Sequence, residues 1–136
     1  MKQLLFSIAM LLSTAVSAQE AFNGRYYCEE LKATLQLDLT DAKINLPDLD
    51  FYNAYGVLTG NINGTWVALK VKKADNKKAV VRMISDMGAD GQDVELTINK
   101  DNNLEMRLID EHNIKTIEGR KYVKLPKVSV FVKSYK

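Results

Sequence analysis

Cys28 and His112 are the only cysteine and the only histidine in the chain, so nucleophilic or metal chemistry has little to draw on. A Cys–His or Ser–His pair needs its base within hydrogen-bond reach of the nucleophile. His112 stands in a polar turn beside Asp110 and Asn113, and no spacing ties it to Cys28 or to a serine. One histidine and one cysteine are too few for zinc without carboxylate substitution. Carboxylate pairs occur at Glu29-Glu30, at Asp48 and Asp50, and at Asp86 and Asp90. The stretch Asp86–Gly91 has the outline of a calcium loop. Gly88 replaces its second oxygen ligand, however, and Thr97 stands where a bidentate glutamate belongs. The reading is therefore no catalytic residue, no metal ligand set and no cofactor, and a protein that is not an enzyme. Cys28 reads as a small buried apolar residue.

The chain opens as an export signal. Lys2 precedes an apolar run, Leu4 to Val16, which ends in the small-x-small sequence Val16-Ser17-Ala18. Residues 1–18 are expected to be removed, leaving 19–136 as a single domain destined for the periplasm or for secretion. No other run reaches membrane-spanning length. A chain this long buries roughly two-thirds of its unfolded surface, so it needs no staple, and one cysteine cannot form an internal disulfide. The formal net charge of +2 falls by one with Lys2, which gives no reason to expect nucleic acid as a partner. The densest basic cluster, Lys70 to Arg82, reads as a solvated strand face, with a polyanion patch as the alternative. The chain is expected to be a monomer.

The elements that must position any site have a period of two. Apolar residues alternate with polar ones along Ala33–Leu39, Ala42–Leu46, Val94–Ile98 and Leu104–Leu108. The same holds for Val128–Lys133, whose valines at 128, 130 and 132 form the apolar set. Such runs are half-buried strands. Asn63-Gly64 is the strongest hairpin signal and is expected to join Val57–Ile62 to Thr65–Lys72. Nine or ten short strands follow, with links of two to five residues that force antiparallel pairing. The prediction is an all-β fold, an antiparallel up-and-down barrel of about eight strands. Tyr26 and Cys28 are expected to share the inward face of the first strand.

One connection breaks the alternation. Leu46–Tyr55 holds Leu49, Phe51, Tyr52 and Tyr55, and Pro47-Asp48 is suited to starting a helical turn. It is expected to be a longer lid loop at one barrel end. Trp66, just after Asn63-Gly64, is expected near the other end.

Gly24-Arg25-Tyr26, a glycine, any residue and then a large aromatic on the first strand, resembles the opening motif of lipocalins and their calycin relatives. Tyr26 occupies the place where that family usually has tryptophan. The chain is also similar to small exported lipocalin-like proteins of gut Bacteroidetes, a bacterial group. The resemblance implies a barrel with one closed end and one open mouth for a small apolar molecule. It also implies a late basic residue packed across the first-strand aromatic, and Arg120 in Gly119-Arg120-Lys121-Tyr122 is the candidate.

The expected function is that of a non-enzymatic exported protein holding a small apolar ligand. Leu49, Phe51, Tyr52, Tyr55 and Tyr26 are the candidate ligand-binding residues. The alternative is a protein-binding module or protease inhibitor that presents residues 46–55. An eight-stranded barrel has room for either a filled core or one small ligand, and the sequence leaves both open.

Overall fold

The computed structural model describes residues 20–42, 44–46, 49–86 and 91–134, with backbone only at 45, 46 and 49–53. Residues 1–18, read as an export signal, and most of the calcium-like stretch lie outside the described residues, as do Pro47 and Asp48.

Twelve strands follow one another among the described residues. They are β1 (Gly24–Cys28), β2 (Ala33–Leu37), β3 (Ile44–Leu46), β4 (Leu49–Ala54), β5 (Gly56–Gly60) and β6 (Trp66–Ala74). Then come β7 (Lys78–Ser85), β8 (Gln92–Ile98), β9 (Leu104–Ile109), β10 (Lys115–Glu118), β11 (Lys121–Lys124) and β12 (Ser129–Ser134). Eight of them close a barrel in the order β1-β12-β9-β8-β7-β6-β5-β2. Every neighbouring pair is antiparallel, as the short connections require. Closure leaves no sheet edge in the barrel for a stray strand to join. The other four strands form two inserted hairpins, β3–β4 and β10–β11.

Alternation decides what goes inside. Tyr26 and Cys28 are buried on β1 while Arg25 and Tyr27 are exposed, as the sequence predicts. Leu35, Leu58, Trp66, Met83, Leu96, Leu104, Met106 and Phe131 are all less than 2% exposed. These large side chains fill the barrel, and small Ala68 and Ala79 sit among them. Close packing of this kind leaves little room between opposite walls.

The last strand runs against its sequence pattern. Ser129 and Phe131 point inward, and Val128, Val130 and Val132 are 40%, 43% and 54% exposed. The register explains the reversal. Ser129 lies opposite Met106 and Phe131 opposite Leu104, both inward on β9. A one-residue slip would exchange the faces and expel the Phe131 ring.

Three other expectations need correction. Asn63-Gly64 does not make a two-residue hairpin. Strand β5 stops at Gly60, and the last β5–β6 pair is Leu58 with Trp66. Ile62 instead bridges Thr116, because a third segment competes for this loop. Gly60 has φ +130°, and a Cβ there would collide with the Lys32 carbonyl oxygen and lie 2.6 Å from Ala33 Cα. Leu46–Tyr55 is not a loop but mostly the β3–β4 hairpin. Arg120 does not close the barrel. It is an exposed turn residue between β10 and β11, after Gly119 at φ +64°. Strand β12 closes the barrel against β1, and it is Lys133 whose Nζ stands over the Tyr26 ring, 6.0 Å from the centroid.

Candidate functional site

Both barrel ends are stoppered by side chains held through amide hydrogen bonds. At the end where β1 begins, a turn closed by Asn23 N donating to Glu20 O (3.0 Å) places Phe22 in the core. Tyr26 Oη donates to Phe22 O at 2.9 Å. Asn23 Oδ1 accepts from Leu39 N at 2.8 Å, and Asn23 Nδ2 donates to Thr40 Oγ1 at 3.1 Å. Phe22 and Leu39 are thereby fixed together, both fully buried.

The opposite end is stoppered by Ile62, Ile114 and Leu125, with Trp66 beneath them in the same core. Asn63 is the hub. Its Oδ1 accepts from Lys115 N (2.8 Å) and Trp66 Nε1 (3.3 Å), and its Nδ2 donates to Asn113 O (2.9 Å). Gln92, fully buried, accepts from Asn113 N at 2.8 Å and donates to Ile109 O at 3.2 Å. A buried amide is tolerable only when its bonds are made in this way. The sequence signals for these residues are weak. Asparagines in turns are visible, but not the distant backbone groups they hold.

The predicted site residues divide between two places. Tyr26 faces the barrel interior and is 2% exposed. Leu49, Phe51 and Tyr52 lie on β4, where the structure gives their backbone. Tyr55 is half-buried at the base of that hairpin. Its N–H donates to Ala68 O at 2.9 Å, and its carbonyl accepts from Asp38 N at 2.8 Å. The structure thus brings Leu49, Phe51 and Tyr52 onto β4, while Tyr55, just past it, packs against the core cluster that contains Tyr26.

The base of the hairpin packs on the outer wall of the barrel. Ile44 and Ala54 form a small buried cluster with Val57 and Val67. Val57 and Val67 are an outward pair on β5 and β6, next to the inward pair Leu58 and Trp66. At its base, then, the hairpin covers an outside face instead of arching over a mouth. Its far end pairs Leu46 with Leu49 after an irregularity at Asn45.

Two open clefts each border the core at one residue, Ile98 in the first and Tyr26 in the second. One, of about 640 Å³, is lined by Ala21, Asn76, Lys77, Ile98, residues 99–102 and Glu105. A smaller one, of about 370 Å³, borders Arg25, Tyr26, Tyr27, Thr34 and Ser134, so that one predicted site residue, Tyr26, lines a cleft.

The side chains with chemical potential sit in contrasting surroundings. Cys28 is a free thiol, 1% exposed within the core, whereas His112 is exposed. Among the described residues no group of three or more His, Cys, Asp or Glu side chains could hold a metal ion. The basic face of β6 and β7 is partly neutralised. Lys72 and Arg82 both bind Asp93, at 2.8 and 3.2 Å, and Lys78 and Arg107 reach Glu95, at 3.9 and 2.9 Å. The Lys72 ammonium holds the Asp93 carboxyl below the usual aspartate range, against a smaller opposing effect of burial, and Arg82 adds to the lowering.

These features define the class of structure: a closed, eight-stranded, antiparallel up-and-down barrel with a packed interior and two hairpin insertions at opposite ends. No family model, curated protein or solved structure matches the chain. Among the described residues no helix is long and apolar enough to cross a membrane.

Proposed function

We propose that the chain is an exported, non-enzymatic binding module that engages a protein partner through the β3–β4 hairpin, with the barrel as a rigid scaffold. The observation that carries this reading is the filled interior. Phe22, Leu39, Trp66 and Ile114, each 2% exposed or less, occupy the two ends, and Leu58, Met83, Leu96 and Phe131 occupy the middle. A small apolar ligand inside would have to displace several of these side chains. Each is worth roughly 1.5–3 kcal/mol of burial, more than one small ligand readily returns. The lipocalin-like resemblance therefore supports the scaffold more than the cavity.

The hairpin suits a binding role because its base is fixed and its apolar residues are concentrated. Ile44 and Ala54 anchor it to Val57 and Val67, and Leu49, Phe51 and Tyr52 follow one another closely on β4. A pre-ordered hairpin loses less conformational freedom on binding than a loose loop. Aromatic anchors dominate binding energy in many protein interfaces.

The test uses the exported protein and its Phe51→Ser/Tyr52→Ser variant. The variant is expected to lose capture of a secreted partner, a protease being the first class to try, while its urea midpoint stays within experimental spread of wild type. A loss of several kcal/mol of stability would instead make these rings part of the core and remove the reading.

A further inference from the structure

The sequence places a glycine directly after an asparagine at Asn23-Gly24 and at Asn63-Gly64, and nowhere else. The fold makes these same two asparagines the amide latches of opposite barrel ends. Asn23 Oδ1 accepts from Leu39 N and its Nδ2 donates to Thr40 Oγ1, across 16 and 17 residues of chain. Asn63 Oδ1 accepts from Lys115 N and its Nδ2 donates to Asn113 O, across 52 and 50 residues. Neither pair is easily exchanged for another. The carboxamide makes the latch, and the glycines stand at φ +141° and +92°, where a side chain is strained.

This combination has a chemical consequence. Asparagine is a thermolabile residue, and a following glycine has no side chain to hinder attack by its nitrogen. That nitrogen bonds to the Cγ of the preceding carboxamide. The glycine N–H proton and the side-chain amino group leave as ammonia, and a succinimide ring remains. Water opens the ring to aspartate or to isoaspartate, whose backbone is longer by one methylene. The native latches oppose the first step. Attack swings the carboxamide onto its own backbone and breaks its bonds to the distant segment. At Asn63 the attacking group is engaged as well, since Gly64 N donates to Ile62 O at 3.0 Å. Reaction therefore waits for local opening of that barrel end. Afterwards the Nδ2 donor is gone, and in isoaspartate the rest of the latch is displaced. We propose that Asn23 and Asn63 are deamidation sites guarded by the fold, and that conversion at either one irreversibly unlatches its own end of the barrel. This does not depend on what the β3–β4 hairpin binds.

The experiment incubates the chain of residues 19–136 in mildly alkaline buffer, folded and in unfolding urea. Residues 23 and 63 are followed by peptide mass mapping with isoaspartate detection. Lys77→Gly supplies an unguarded reference, because it puts a glycine after the exposed Asn76, whose carboxamide makes no hydrogen bond among the described residues. In that folded chain Asn23 and Asn63 are expected to convert at least about tenfold more slowly than Asn76, each attack breaking two or more hydrogen bonds. In urea the three are expected to convert at similar rates. Wild type, folded against unfolded, gives the same comparison without the substitution. Thr40→Ala removes a partner of Asn23 alone, and is expected to speed residue 23 several-fold in the folded protein and leave residue 63 unchanged. Amide hydrogen exchange of the converted fractions reads the unlatching. Conversion at residue 63 is expected to expose the Lys115 amide and spare that of Leu39, and conversion at residue 23 to do the reverse. Folded-state rates at Asn23 and Asn63 equal to those in urea overturn the proposal. So do converted chains whose Leu39 and Lys115 amides stay as protected as before.

Discussion

Asp93 shows how a single residue joins three strands on the outside of the barrel. It lies on β8 and accepts hydrogen bonds from Lys72 on β6 and Arg82 on β7. Its carboxyl is held below the ordinary aspartate value of 3.8, chiefly by the Lys72 bond. A carboxyl whose folded value is depressed stabilises the protein fully above its unfolded value, and that stabilisation is lost as pH falls through the lower folded value. Wild type should therefore be more stable than Asp93→Asn by a constant margin from neutral pH down to about pH 5. The margin should shrink as pH falls below the ordinary aspartate value. Pairs as exposed as these are worth at most about 1 kcal/mol. Urea midpoints of the two proteins across that range check the prediction, and a margin independent of pH would contradict it. At this same scale alternation made the inward residues of the first strand legible. Tyr26 and Cys28 face inward as read. The tyrosine's cation could not be read, because Arg120 and Lys133 are both basic residues late in the chain. Only the pairing of β12 with β1 selects Lys133.

At the scale of elements, the two hairpin insertions separate what the sequence could say from what it could not. Strands β8 and β9 contain the alternating runs Val94–Ile98 and Leu104–Leu108 and extend them by one or two residues, since both faces of each strand are decided by unmixed patterns. The β3–β4 hairpin was hidden because residues 46–55 mix apolar and polar side chains without a clean period. Its register contains an irregularity as well. On β12 the period was clear but its phase misled, for valine and phenylalanine are both apolar and only cross-strand packing chooses between them. The work of the β10–β11 hairpin as a stopper was not legible. That work depends on Asn63, fifty or so residues earlier, which reaches Asn113 and Lys115. Asn63→Ala removes the side-chain bonds to Trp66, Asn113 and Lys115. At about 1 kcal/mol for each net hydrogen bond, the loss should be roughly 2–3 kcal/mol. Asn63→Asp keeps the acceptor and loses the donor, and should fall between. Urea unfolding measures both. A wild-type midpoint in the alanine variant would mean that this end is closed by the apolar contacts of Ile62, Ile114 and Leu125 alone.

At the scale of the whole molecule, the barrel class followed from many short alternating strands and short links, both visible in the sequence. Whether the barrel was hollow was not visible, because inward residues of either arrangement are apolar. The difference lies in summed volume and in how the ends are closed, and both depend on contacts far apart in the chain. With the interior packed, the proposed binding role falls to the outer surface, where the β3–β4 hairpin rests on Val57 and Val67. The central claim is that this barrel is a filled scaffold with no internal ligand site. Its most direct test is a titration of the folded protein with a fluorescent apolar probe, followed to saturation. The account predicts no saturable one-to-one binding, since Trp66, Phe22 and Phe131 already occupy the interior. Saturable one-to-one binding that is retained by Phe51→Ser/Tyr52→Ser and weakened by enlarging an inward residue, as in Ala68→Leu, would place a ligand inside the barrel and contradict it.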